Sequence, residues 1–105
     1  MHNWTPEDDL VAFYWHKFSG RGISLSILGV GENLGMGGVA FRMRIGNAKA
    51  ADAADGVWPP PKSVRLPGLG HYSKQTALVY RVLKGAGEAD VRSWAVSVLS
   101  RAEAR

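Results

Sequence analysis

The chain has 105 residues, the size of a single domain, and its 46% hydrophobic and 21% charged residues exclude a wholly disordered protein. It contains no cysteine, which excludes disulfides, thiolate metal sites and cysteine nucleophiles. No apolar run approaches the roughly 18 residues of a membrane span, and the first residues lack the basic-then-apolar pattern of a signal peptide. We therefore expect a cytoplasmic protein.

The positive charge of the chain begins after its first twenty residues. The formal net charge is +4. Residues 1–20 carry a net charge of −2, whereas residues 21–71 and 72–105 carry +3 each. An anionic partner is therefore expected to meet the middle or the end of the chain.

The first predicted helix spans residues 6–18. Thr5 can cap it, Pro6 suits the first helical position, and the acidic residues that follow oppose the positive end of the helix. The apolar residues are too dense for a narrow stripe, although four of them share one face. These are Val11, Tyr14, Trp15 and Phe18.

Two further helices are predicted on either side of a glycine-rich break at residues 35–38. Helix 2 is expected at 24–34 and helix 3 at 39–51. The core candidates of helix 2 are Leu25, Ile27, Leu28 and Leu34. In helix 3, a buried stripe is expected from residues that recur at spacings of four and three. These are Phe41, Ile45 and Ala48.

The other side of helix 3 carries hydrogen-bond donors. Arg42, Gly46 and Lys49 fall on one side, with Arg44 and Asn47 beside it. Arginine can pair with guanine edges or phosphates, and asparagine can pair with adenine. The pattern favours a helix with one face for a core and another for nucleic acid.

The segment between helices 2 and 3 fits a helix-turn-helix. Such a motif needs a small residue where the helices cross, then an apolar residue and a glycine at the turn, and an apolar anchor early in the second helix. Gly31 is the small residue, Leu34 and Gly35 end helix 2, and Phe41 is the anchor, with Ile45 continuing its stripe.

Two segments resemble a bacterial and phage version of the Myb/SANT-like helix-turn-helix domain, which occurs alone or ahead of HNH-type nuclease domains. They are residues 4–10 (WTPEDDL) and residues 34–47, which end in FRMRIGN. The similarity covers roughly residues 4–52, and a weaker similarity is found at 68–69 and 73–82. The resemblance implies DNA binding through helix 3. The chain contains no HNH nuclease motif.

The remaining chain is predicted as a connector at 53–72 and two helices at 74–84 and 88–104. The connector contains Trp58 ahead of three prolines, which favour extended backbone, and this tryptophan either docks on the core or meets a partner. Lys62 and Arg65 form either a basic arm on DNA or part of a plain linker.

The last predicted helix has the most regular apolar stripe of the chain. That stripe either closes the core or forms a homodimer interface. The interface residues would be Val91, Trp94, Val98 and Leu99. By burial preference, Trp4, Trp15 and Trp94 are expected in the core.

The predicted fold is therefore all-α, with a trihelical core at 1–52, the connector at 53–72 and a C-terminal helical pair at 73–105. The three histidines lack metal-ligand spacing, and no nucleophile–base pair stands out. We therefore expect no metal site, no cofactor and no enzymatic activity. The predicted function is binding of double-stranded DNA with helix 3 in the major groove, by a nucleoid-associated protein that is either a transcription regulator or a nucleoid- or phage-type DNA-binding module. The alternative is a protein-interaction adaptor with a SANT-like core. The predicted DNA-binding residues are Arg42, Arg44, Asn47, Lys49, Lys62 and Arg65.

Overall fold

The computed structural model describes residues 3–62, 66 and 71–104, and these residues form five α-helices. The helices are α1 (Pro6–Phe18), α2 (Ile27–Asn33), α3 (Gly38–Ala53), α4 (Lys74–Leu83) and α5 (Glu88–Glu103). No β-strand occurs in the part of the chain that is described, so the predicted all-α class is confirmed. None of these helices has the length and apolar character needed to cross a membrane.

Helix α1 is the centre of the fold, because α3, α4 and α5 all pack on it. This position explains why its apolar residues are too dense for one stripe: a helix that has neighbours on several sides is buried nearly all round. Its start is fixed by the predicted cap. The Thr5 side chain accepts a hydrogen bond from the Asp8 amide, and the Asp8 carboxylate accepts one from the Thr5 amide.

Helix α2 is shorter than predicted. It begins at Ile27 because Ser26 caps it, with the Ser26 hydroxyl oxygen accepting a hydrogen bond from the Gly29 amide at 3.0 Å. The preceding residues therefore stay outside the helix. Two expected core residues, Leu25 and Leu28, are exposed, so that prediction was wrong. A helix of seven residues buries only a narrow strip of its surface. That strip is formed by Val30 and by Leu34, the residue after the end of α2.

The expected anchors of helix 3 lie where the periodicity predicted. Phe41 and Ala48 are buried, and Ile45 packs against the core cluster. The Phe41 ring meets the Trp15 ring edge-on, with 5.7 Å between their centroids. These contacts fix the rotation of α3 about its own axis, and so decide which of its faces meets solvent.

Helix α5 packs on α1 and also touches α2. Val91, Val98 and Leu99 are buried in the same core cluster as the α1 residues, so the regular stripe closes the core. These three side chains are not available as a dimer interface. Trp94, expected in the core, is 45% exposed, and that prediction was wrong. Trp94 is therefore not part of the buried stripe of α5, although its spacing along the helix predicts that it is.

The backbone of the α2–α3 turn approaches Gly31 too closely for any side chain. A Cβ added at Gly31 would overlap the carbonyl group of Gly37. The Gly31 carbonyl oxygen accepts hydrogen bonds from the amides of Met36 and Gly37, at 2.9 and 3.0 Å. Gly35 and Gly37 both have positive φ, 82° and 84°, which only glycine adopts readily. Glycines at three positions thus bring the start of α3 against α2.

The connector after α3 returns to the core at its described ends. Trp58 is 41% exposed, and its ring centroid lies 6.4 Å from that of Tyr72, which is fully buried. The Tyr72 hydroxyl donates a hydrogen bond to the Val57 carbonyl oxygen. Trp58 therefore docks on one side only.

We expect Gly31→Ala to destabilise the protein by about 2 kcal/mol or more, because the new methyl group would overlap backbone that cannot rotate away. The free energy of unfolding, measured by urea denaturation, checks this value.

Gly29→Ala in the same helix is the matched control. Its Cβ would lie 3.4 Å from the Ser26 hydroxyl oxygen and 3.6 Å from the Leu25 side chain, which are ordinary contacts. We expect it to be neutral or to stabilise the protein by up to about 1 kcal/mol. Equal destabilisation by the two variants would contradict the close α2–α3 contact.

Candidate functional site

The solvent-facing side of α3 forms a continuous stripe, which we call the outer stripe. Its members recur at the spacing of a helical face. They are Val39, Arg42, Met43, Gly46 and Lys49. All but the half-buried Gly46 are exposed, and Val39 and Met43 expose 79% and 51% of their surface. The outer stripe thus combines two cations with two apolar side chains.

No carboxylate lies on the outer stripe. The acidic residue of α3, Asp52, faces α1, where its Oδ2 atom lies 2.7 Å from His16 Nε2. Among the described residues, neither Arg42 nor Lys49 forms an ion pair. Both cations are therefore available to an anionic partner.

Leu28 is an exposed apolar residue of α2 that lies against the start of α3. A Cβ added at Gly38 would lie 2.7 Å from the Leu28 Cδ1 atom, so the leucine side chain covers the first residue of α3. Leu28 is nevertheless 60% exposed.

Arg44 occupies a different face of α3. Its guanidinium carbon lies 3.8 Å from the centroid of the Trp4 ring, in a cation–π stack that joins α3 to the segment before α1. Arg44 is half-buried. Stacking on a ring face leaves the N–H groups at the guanidinium edge free to point elsewhere.

Asp9 is a buried acid that sequence reasoning assigned to helix capping. Its carboxylate oxygens accept hydrogen bonds from Gln75 Nε2 at 2.7 Å and from the Thr76 hydroxyl at 3.1 Å. Burial raises the pKa of Asp9, while the hydrogen bond from Gln75 and the positive charge of Arg44 act in the opposite direction. This carboxylate ties α1 to α4.

The remaining predicted site residues are not gathered on the outer stripe. Asn47 is half-buried, and its side-chain oxygen is enclosed with no hydrogen-bond partner among the described residues. Lys62 is exposed on the connector. Arg65 lies outside the described residues. The structure therefore keeps Arg42 and Lys49 together on the outer stripe, places Arg44 on a different face of α3, and separates the others.

A concave surface of another kind lies between α1 and α4. It is an apolar groove with a volume of about 630 Å³. Its lining residues are Pro6, Glu7, Leu10, Lys74, Gln75, Leu78, Val79, Val82 and Leu83. Within the described part of the chain, no group of three His, Asp or Glu residues is placed to hold a metal ion.

Val39, Met43 and Leu28 were not singled out as site residues by sequence reasoning. The signal was present, since Val39 and Met43 follow the same helical period as Arg42 and Lys49. Their exposure became evident only when the buried face of α3 was known.

Comparison with known proteins gives no relative for this chain. No protein-family model matches its sequence, and the searches of curated proteins and of solved structures found no match.

Proposed function

We propose that this protein binds double-stranded DNA through the outer stripe of α3. The observation that carries the proposal is the charge of this stripe, which presents Arg42 and Lys49 to solvent with neither of them in an ion pair among the described residues. Contacts from lysine and arginine to phosphates provide most of the affinity of such proteins for DNA. A single basic helix face suits the width of the major groove.

The packing of α2 supports a helix-turn-helix arrangement for this surface. The close approach at Gly31 and the burial of Phe41 are the two features that hold a second helix against the first in that motif. The same packing leaves the N-terminal half of α3 exposed, the part that meets base edges in a recognition helix.

Arg44 suits a phosphate contact better than a base contact. Its guanidinium group lies on the flank of α3, stacked on Trp4, so its position is largely fixed before DNA arrives. Fixing a long side chain beforehand lowers the entropy lost on binding. Trp4 is then a positioning residue for Arg44.

A protein-interaction adaptor is the second candidate. The observation in its favour is the exposed apolar pair Val39 and Met43 on one face of α3, with the exposed Leu28 at the start of that helix, because exposed apolar surface often marks a protein interface. The two candidates differ in their salt dependence, since phosphate contacts release counterions and apolar contacts do not.

We expect the double variant Arg42→Ala with Lys49→Ala to weaken binding of a 20-base-pair duplex by roughly tenfold or more at low salt, because two charge-assisted contacts are lost. The slope of log affinity against log salt should become shallower by about 1.8. Fluorescence anisotropy titrations over a range of salt concentrations measure both quantities.

The matched control is Arg81→Ala with Arg101→Ala, which removes the same charge from exposed positions on α4 and α5. We expect this variant to keep nearly the full slope. Equal losses in both double variants would mean that α3 is not the binding surface. If the unmodified protein shows no salt-dependent duplex binding, the DNA proposal fails and the adaptor remains.

Trp4→Ala is expected to weaken duplex binding by about two- to fivefold, the worth of one cation–π contact. In an Arg44→Ala background the same change should have no further effect, because Trp4 acts through Arg44. Trp94→Ala on α5 is the control and should bind as the unmodified protein does. An undiminished effect of Trp4→Ala without Arg44, again by anisotropy, would refute the positioning role.

A further inference from the structure

The exposure of Val39 and Met43 has no explanation in the folding of the chain. Neither side chain is part of the core cluster or of the partly buried residues packed against it. Single exposed apolar residues are common on protein surfaces and need no explanation. Here, however, the two lie one helical turn apart on the same face, and Leu28 adjoins the start of that helix. Val39 and Met43 therefore form a small apolar surface on α3.

The position of this surface indicates what it would touch. Val39 is in the first turn of α3 and Met43 in the next, and Arg42 lies beside Met43 on the outer stripe. In a helix docked in the major groove, residues of the N-terminal turns face the base edges, and residues further along face the backbone. Val39 and Met43 would thus face bases, and Lys49 would face phosphates.

The chemistry of the major groove offers one apolar group on its base edges, the 5-methyl group of thymine. Guanine, cytosine and adenine present hydrogen-bond donors and acceptors there but no methyl group. An apolar side chain against those groups would leave them without water or a partner, which costs free energy. A valine and a methionine therefore favour thymine at the base pairs that they face.

We infer that Val39 and Met43 are specificity-determining residues that select thymine through its methyl group. This inference rests on the proposed DNA-binding function and deepens it. It assigns selectivity to the apolar half of the outer stripe and affinity to the basic half.

The test begins with a selection of bound duplexes from a random library, using the unmodified protein. In the enriched sequence each thymine is then replaced singly by uracil, which removes only the methyl group. At one or two thymines we expect binding to weaken about fourfold, the value of one methyl group taken out of water. The remaining thymines should tolerate the change.

The double variant Val39→Ser with Met43→Ser should bind thymine- and uracil-containing duplexes equally, with an unchanged salt slope. Both positions are exposed, so the fold should tolerate serine. Val82→Ser is the matched control, because this α4 valine is 78% exposed and lies outside the outer stripe. It should keep the preference for thymine.

Three outcomes would overturn the inference. Salt-dependent binding that no uracil replacement weakens refutes the selection of thymine and leaves the DNA-binding proposal intact. A thymine preference that survives in the Val39→Ser with Met43→Ser variant assigns it to other residues. Absence of salt-dependent duplex binding removes the proposed function, and this inference falls with it.

Discussion

The contact between α2 and the start of α3 at Gly31 determines how the rest of the α3 surface is displayed. The Gly31 carbonyl oxygen accepts hydrogen bonds from the amides of Met36 and Gly37. Because glycine has no side chain, the backbone at the start of α3 can approach α2 closely. That contact fixes where α3 begins. Burial of Phe41 against Trp15 then fixes its rotation. Once both are set, the outer stripe can only face solvent, since the opposite side of the helix is held by α1.

The same constraint sorts the charges of α3 between its two sides. On the inner side each charge meets a partner, with Asp52 against His16 and Arg44 on Trp4. On the outer side Arg42 and Lys49 have none among the described residues. The net charge of +4 is a sum over the whole chain and does not describe this surface, where Arg42 and Lys49 lie on one helix face.

The sequence predicted the helices well, because capping residues, glycines and helical periodicity act locally. The Thr5 cap and the Phe41 stripe are examples. The sequence-based prediction failed where two local patterns competed for one helix start, or where packing against a neighbouring helix decided which residue is buried. Ser26 caps α2, so this helix begins later than predicted. Trp94 is exposed, because it lies outside the contact of α5 with α1. For the site, periodicity placed Arg42 and Lys49 together, but the stack of Arg44 on Trp4 joins residues forty positions apart and no local pattern indicates it.

The outer stripe as proposed separates affinity from selectivity in a way that salt distinguishes. Contacts from Arg42 and Lys49 to phosphates weaken as salt rises, because the release of counterions gains less entropy in a more concentrated salt solution. Contacts of Val39 and Met43 with methyl groups do not involve counterions. Affinity for every duplex should therefore fall with salt, while the ratio between thymine- and uracil-containing duplexes stays constant. With few cations on one helix, absolute affinity is expected in the range of roughly 10⁻⁴–10⁻⁶ M that is typical of non-specific binding. The preference between sequences is set by the ratio of their affinities and not by this absolute value, so each methyl contact contributes about fourfold whatever the strength of binding.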